Sequence, residues 1–563
     1  MSHLPTSPIR PRARDESAGP TAGSDPSPGR TASPPDRIDR WADRFSVRVL
    51  PAATATLCIL MLATWVPHYL GWPWWPDLDT FAASAICWEG GLSPYRDLAG
   101  YSFPGPIYLF YGIHAAVGAG TTWAIYAVDA AMVVGLVLML SAWSRRRFDR
   151  WWPGLVGGAA VLAIYTDLNF SLVAQRDWQA TCLVVLALLG PTTWPGRPGR
   201  VFSALAIAGA LTFRPHVVLF GPALLIAVVE GERSRGADAR PGAGAIEWGI
   251  LTILLSILSF APLILHEILD DLVRNLKLAT YGSHYSRATP EGMIAEVVRQ
   301  FVQPGWLVVP LSVALLAGTT RVAIRREAII WLTTAACVLL YKPLHPRAHD
   351  YLDLPRWIVW SVLLALLAAI LESIPWRSPR HRLVASIAVL ATAVPSKPDF
   401  CNPRAAFTAI ASAWGSESGG GIDRVPPGYV HHDPHYEVAR YPWADYRRAL
   451  EHLRDEVGPS TSVANLLGYQ LAAAGATGHR PVFRNESGLL WKSQVGWEDG
   501  AFVEMLEAEA NSVVIWAPGR EGPEPGLISP VLVDCVRRLY EPDRRFGVIE
   551  VWRRAGDGGH RPR

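Results

Sequence analysis

The chain has 563 residues, of which half are hydrophobic and 18% charged, and its formal net charge is +3. So small a charge excludes a nucleic-acid surface, and so apolar a composition excludes an ordinary soluble globular protein. Six cysteines (Cys58, Cys87, Cys182, Cys337, Cys401, Cys535) form no CxxC pair, which excludes the zinc-ribbon and dithiol redox classes.

Residues 1–35 are rich in Pro, Ser, Arg and Gly, the composition of a disordered cytoplasmic tail, and they lack the apolar core of a cleavable signal peptide. Arg37, Arg40, Arg44 and Arg48 then precede the first apolar run, which places them inside on the positive-inside rule. A helix needs about 20 apolar residues to cross a hydrocarbon core of about 30 Å, and helix is the form that satisfies its own backbone there.

On this basis span one (48–70) leads out to a long outer loop, 71–120. Within it, 106–117 is a semi-apolar piece too short to cross, expected to lie along the interface. Span two (121–143) returns to Arg145, Arg146, Arg147 and Arg150. Spans three (151–167) and four (177–191) come back to Arg197 and Arg200, and spans five (201–213) and six (215–230) to Arg233, Arg235 and Arg240. Span seven (246–266) leads to outer loop 267–303, and span eight (304–320) returns to Arg321, Arg325 and Arg326. Span nine (327–341) leaves, span ten (357–374) returns to Arg377, Arg380 and Arg382, and span eleven (383–395) leaves again. Each inner turn is basic under this one threading.

The expected fold is therefore an α-helical polytopic membrane protein with about eleven transmembrane helices over 36–395, followed by an exported domain over 396–563. In that domain 446–457 has the periodicity of an amphipathic helix, while 462–467, 511–516 and 546–552 read as short strands. The alternation predicts a small α/β unit.

Polar residues gather at the outer ends of these spans. Asp77 and Asp79 follow the tryptophans Trp74 and Trp75, which belong at headgroup depth. They suit a base that is half dry yet open to substrate, or simply the first turn of the helix that follows. Gln175, Arg176 and Asp177 open span four, where the Arg and Asp suit a structural pair or a site. Arg214 stands between two apolar spans, and an ionisable group in such a place is a functional candidate. Lys342, His345, Arg347 and His349 make a cationic outer segment without metal-ligand spacing; it is a candidate phosphate contact or a solvated basic loop.

Asp77, Gly91, Pro94, Tyr95 and Asp97, followed by Phe103, Pro104, Pro106 and Tyr108, resemble the first outer loop of GT-C fold glycosyltransferases, with bacterial mannosyl- and arabinosyltransferases as the nearest type. Asp77 lies fourteen residues before the Gly-x-x-Pro-Tyr-like turn, and Phe81 lies four after Asp77. Gln175-Arg176-Asp177 is similar to the Gln-Arg-Glu of related membrane proteins, and Phe213-Arg214-Pro215-His216 to their Lys/Arg-Pro-Gln, with Asp and His replacing the acid and the amide. The resemblance implies an inverting transfer of sugar from a polyprenyl-phosphate donor to an acceptor hydroxyl of a glycan, lipid or protein. Asp77 would be the general base and Asp79 a second catalytic acid. Arg176, Asp177, Arg214, Lys342, His345, Arg347, His349 and Tyr95 would bind substrate and phosphate. A divalent cation, Mg or Mn, is allowed at Asp79 but not required.

The transport alternative, a lipid-linked sugar flippase, fits less well because the ionisable candidates gather at one face instead of the bilayer midplane. A non-catalytic membrane subunit whose exported tail does the work is the other alternative.

Overall fold

A computed structural model describes residues 37–72, 74–96, 102–118, 121–168, 172–236, 239–281, 289–302, 308–316, 319, 321–344, 350–376, 378–392, 443–467, 477–483, 499–518 and 528–556. Up to residue 392 the described chain is helical: α1 (Arg37–Arg44), α2 (Leu50–Leu70), α3 (Pro76–Glu89), α4 (Gly105–Val117), α5 (Thr122–Phe148), α6 (Trp152–Thr166), α7 (Arg176–Thr193), α8 (Arg197–Phe213), α9 (Gly221–Arg233), α10 (Pro241–Ser259), α11 (Ala261–Leu265), α12 (Leu269–Tyr281), α13 (Pro290–Val302), α14 (Val308–Leu316), α15 (Val322–Tyr341), α16 (Leu354–Ser373) and α17 (Pro379–Ala391).

Each segment expected to cross contains helix among the described residues. Among the described residues, five helical stretches are long and apolar enough to do so by length and composition: 37–70, 123–148, 215–233, 241–259 and 354–373. The others are shorter, as α14 with 9 residues and α17 with 13, or carry charge, as α15 with Arg325, Arg326 and Glu327. The count of eleven therefore rests on the charge pattern and not on helix length. The segment expected as outer loop 267–303 contains the amphipathic α12 and α13.

The bundle is a membrane domain, and its outer surface shows it. On α10 the side chains of Ile250, Ile253, Leu254, Ile257 and Leu258 are all more than half exposed. A continuous aliphatic face of that kind is stable against lipid and not against water. The interior is built on α16, which is buried along nearly its whole length. Helix α6 reaches α5 and α16 through small residues: a Cβ on Gly154 would lie 2.3 Å from the Leu140 carbonyl oxygen, and one on Gly157 would lie 2.8 Å from the Ala365 Cβ. Close backbone approach through glycine supplies packing where lipid offers no hydrophobic drive between helices.

The C-terminal part is the expected α/β unit. Strands β1 (Ser462–Asn465), β2 (Ser512–Trp516), β3 (Tyr540–Phe546) and β4 (Ile549–Arg554) form a sheet in the order β1-β2-β4-β3, with β1 parallel to β2 and the other pairs antiparallel. Strand alternation divides the core in two. Val463, Val513 and Ile515 pack on one face with Tyr446, Ala449 and Leu453 of helix Trp443–Glu456, while Ala464, Val514 and Trp516 pack on the other with Phe502, Leu506 and Val536. Strand β3 was not expected, because Glu541, Pro542, Asp543, Arg544 and Arg545 are all exposed and carry no apolar alternation. Cys535 is a buried free thiol; Cys401 lies outside the described residues.

Candidate active site

The site is assembled from four chain segments that end at one side of the bundle. After α2 the backbone of Trp75 is extended and Pro76 starts α3, so Asp77 and Asp79 fall in its first turn, where unpaired amides favour carboxylates. Trp75 anchors this start by donating its indole N–H to the Val173 carbonyl at 3.0 Å. That contact sets α3 beside the segment leading into α7.

In that segment Ala174 has a left-handed backbone, φ 50°, and its amide donates to the Tyr165 phenol oxygen at 2.9 Å. Gln175 is extended, and Arg176 and Asp177 begin α7. At the end of α8, Pro215 disfavours helix for the residue before it, so Arg214 swings to an extended conformation (φ −149°, ψ 119°) and leaves the helix axis.

Arg176 turns toward α3. Its Nη2 lies 4.0 Å from Asp77 Oδ2, its Nη1 donates to Ser102 Oγ, and its guanidinium carbon stands 5.6 Å from the centre of the Phe81 ring. Asp177 turns the other way. It is fully buried, accepts from Arg214 Nη2 on Oδ2, and accepts from the Tyr341 hydroxyl on Oδ1 at 2.9 Å. His216 packs its ring 5.9 Å from that of Tyr341.

Asp77 and Asp177 are thus acids of different kinds. Asp77 keeps 40% of its side chain open, while Asp177 keeps none and is held by a charge-assisted bond. Burial raises the Asp77 pKa above the ordinary carboxylate value, outweighing the opposite pull of Arg176 and Arg214. Protein crowds the carboxyl from most sides although its oxygens still reach solvent, as at the wall of a cleft. Asp79, in the same turn, is buried.

Tyr95 does not face these carboxylates. Its hydroxyl donates to the Ser102 carbonyl at 2.9 Å, so it supports the residue that holds Arg176. The turn before it needs the left-handed Gly91 (φ 89°), and Asn275 of α12 donates to the Tyr95 carbonyl at 2.8 Å. Gly105 docks the start of α4 on the end of α8: a Cβ there would lie 2.6 Å from Thr212 Oγ1 and 2.9 Å from the Phe213 ring. The Phe-Pro-Gly-Pro segment thereby sits beside Arg214.

Lys342 follows Tyr341 but pairs elsewhere, 2.9 Å from Asp353 Oδ2 and 3.8 Å from Glu296 Oε1. Burial raises the Glu296 pKa, but hydrogen bonds from Arg299 and Gln300 and the charge of Lys342 bring it down to about 2. His345, Arg347 and His349 lie outside the described residues. Among the described residues no three His, Cys, Asp or Glu side chains converge as a metal site.

Sequence reading missed Ser102, Tyr165, Tyr341 and above all Asp129. The Asp129 carboxylate, buried in α5, accepts from Tyr69 at 2.6 Å and from Tyr165. Its signal was present: a single acid within an apolar span.

No protein-family model matches the chain, and no curated protein sequence matches it. In three dimensions the match is extensive. The crystal structure of ArnT from Cupriavidus metallidurans in the apo state superposes with a TM-score of 0.51 at 10% identity, over 89% of this chain and 98% of that one. The chain has the GT-C fold. The same protein bound to undecaprenyl phosphate gives a TM-score of 0.51 at 11% identity, over 88% of this chain and 96% of that one. At 89% of the chain, the fold match spans the bundle and reaches into the C-terminal unit.

Proposed function

We propose that this GT-C protein is a membrane glycosyltransferase that moves a sugar from a polyprenyl-phosphate donor to an acceptor hydroxyl at the extracytoplasmic face. The observation that carries the reading is the pairing of a half-open acid, Asp77, with a guanidinium 4.0 Å away, Arg176, at the outer end of the first long helix. The undecaprenyl phosphate bound by the ArnT structure is a second support.

In this reading Asp77 takes the proton of the acceptor hydroxyl as that oxygen attacks the anomeric carbon, and the bond to the carrier phosphate breaks on the opposite face with inversion. A raised pKa makes Asp77 a stronger base than an ordinary carboxylate once it is ionised. Arg176 and Arg214 stabilise the charge gathering on the departing phosphate, for which a planar guanidinium is well matched. Asp177 acts through Arg214 by fixing its direction, and Tyr95 acts through Ser102 on Arg176. Asp79, buried in the same first turn of α3, is the second acid of the site. Lys342 is already engaged by Asp353 and Glu296, so a further phosphate contact from this segment would fall to His345, Arg347 or His349, which lie outside the described residues. No step is routed through a metal.

The test is transfer of radiolabelled sugar from a polyprenyl-phosphate donor in membranes carrying Asp77→Asn. General-base catalysis contributes about 10²- to 10⁴-fold, so a loss in that range is expected with protein levels unchanged. Full transfer by this variant would end the assignment.

A further inference from the structure

A cavity of about 430 Å³ opens at the end of the bundle opposite Asp77. Helix α2 separates it from Asp77: Ser46, Val47 and Pro51 line the cavity at the start of that helix, and Asp77 follows its end. The 21 residues of α2 at about 1.5 Å each make about 30 Å, the thickness of a hydrocarbon core. The cavity therefore sits at the opposite membrane boundary, on the side of the basic turns.

Its walls are charged unevenly. Arg145, Arg150, Arg321 and Arg382 face Asp149 and Glu372, four guanidiniums against two carboxylates. Arg145 pairs with Asp149, and Arg382 Nη2 pairs with Asp43 Oδ1 at 2.5 Å. Arg321 makes no ion pair among the described residues, and Arg150 pairs with Glu372 only loosely, its Nε 4.0 Å from Oε2 and beyond hydrogen-bond reach. That Glu372 oxygen is buried and has no hydrogen-bond partner among the described residues. A buried carboxylate oxygen without a donor is costly, and its place in a cavity wall points to a donor brought by a ligand.

The ligand must therefore carry an anion for the surplus guanidiniums and N–H or O–H donors for Glu372. The remaining lining is what a lipid meets at the interface: Val47 and Pro51 are apolar, and Trp151 is 54% exposed at the cavity mouth. The volume lies within the range of about 300–1,000 Å³ usual for small-molecule sites. Basic pockets between transmembrane helices on the cytoplasmic side suit phospholipid headgroups. We infer that this cavity is a resident-phospholipid site that takes the phosphate diester against Arg150 and Arg321 and the primary ammonium of an ethanolamine headgroup against Glu372. It is separate from the transfer site and stands whether or not that reading holds.

The test is native mass spectrometry of the purified full chain, titrated with phosphatidylethanolamine, with phosphatidylcholine of the same acyl chains, and with inorganic phosphate. Choline has no N–H, so the wild type should prefer ethanolamine about tenfold, the size of one hydrogen bond to a charged group. Glu372→Gln should reduce that preference to near unity, and Arg321→Gln should weaken both lipids about tenfold. Arg321 is exposed, so its replacement leaves the fold intact. Equal binding of the two lipids by the wild type, or unchanged lipid binding by Arg321→Gln, would overturn the assignment. Displacement of the lipid by equimolar inorganic phosphate would overturn it in favour of a soluble anion.

Discussion

Tyr165 gives its phenol proton to Asp129 and takes the amide proton of Ala174, so a buried acid in α5 is linked through one ring to the turn that launches Arg176 and Asp177. A left-handed non-glycine residue costs about 1–3 kcal/mol and persists where its surroundings impose it. Tyr165→Phe removes the acceptor of the Ala174 amide and one donor to Asp129, and an unsatisfied buried group costs about 1–3 kcal/mol. The expected result is a lower midpoint of thermal unfolding in detergent together with loss of sugar transfer. Adding Ala174→Gly, which adopts this φ without strain, should return part of the stability. A Tyr165→Phe protein with wild-type stability and transfer would show that the link is idle.

The Asp77 carboxyl must be ionised to accept a proton. Because burial raises its pKa, the acid limb of the pH–rate profile for transfer should lie above the ordinary carboxylate value of 3.8. Activity falls as pH drops through that limb. Asp77→Asn should abolish the limb along with the activity, whereas an acid limb at 3.8 or below would contradict the environment described for Asp77.

Gly105 and Gly112 lie on the same helix and test how closely the loop must sit beside Arg214. A Cβ at Gly105 meets Thr212 and Phe213, whereas at Gly112 nothing lies within 4 Å. Gly105→Ala should cost about 1–3 kcal/mol through overpacking and lower transfer. Gly112→Ala should be neutral or stabilising, as Ala is preferred to Gly in a helix. The comparison is read from paired thermal midpoints and transfer rates.

Glu296 has its folded pKa lowered to about 2 from 4.5, so the sign of its linkage is fixed. Its contribution to stability is complete above pH 4.5 and is lost as pH falls toward 2. Glu296→Gln should flatten that part of the stability curve measured by chemical denaturation in detergent. An identical acid dependence in wild type and variant would remove Glu296 as its source.

Much of the bundle was legible because apolar runs and basic turns are local signals. Arg145 to Arg147 and Arg321 to Arg326 read as inner turns whichever helices they meet. The convergence of Asp77, Arg176, Asp177 and Arg214 was legible only as a common side of the membrane. That Arg176 turns to Asp77 and Asp177 to Arg214 depends on the extended backbone imposed by Pro215 and on the Ala174 turn, which no spacing reveals. Tyr341 and Ser102 read as ordinary span and loop residues, since their importance lies in which distant atom their hydroxyls reach. Lys342 read as a free cation because the carboxylate of Glu296, from a distant segment, and that of Asp353, a turn further on, reach it only in the fold.

Strand β3 closes one side of the C-terminal sheet with Pro542, a bulge between Pro542 and Arg544, and a run of outward charges. Each of these denies a register to an incoming extended chain. Neighbouring copies of this unit therefore find a poor template for zipping together along that border.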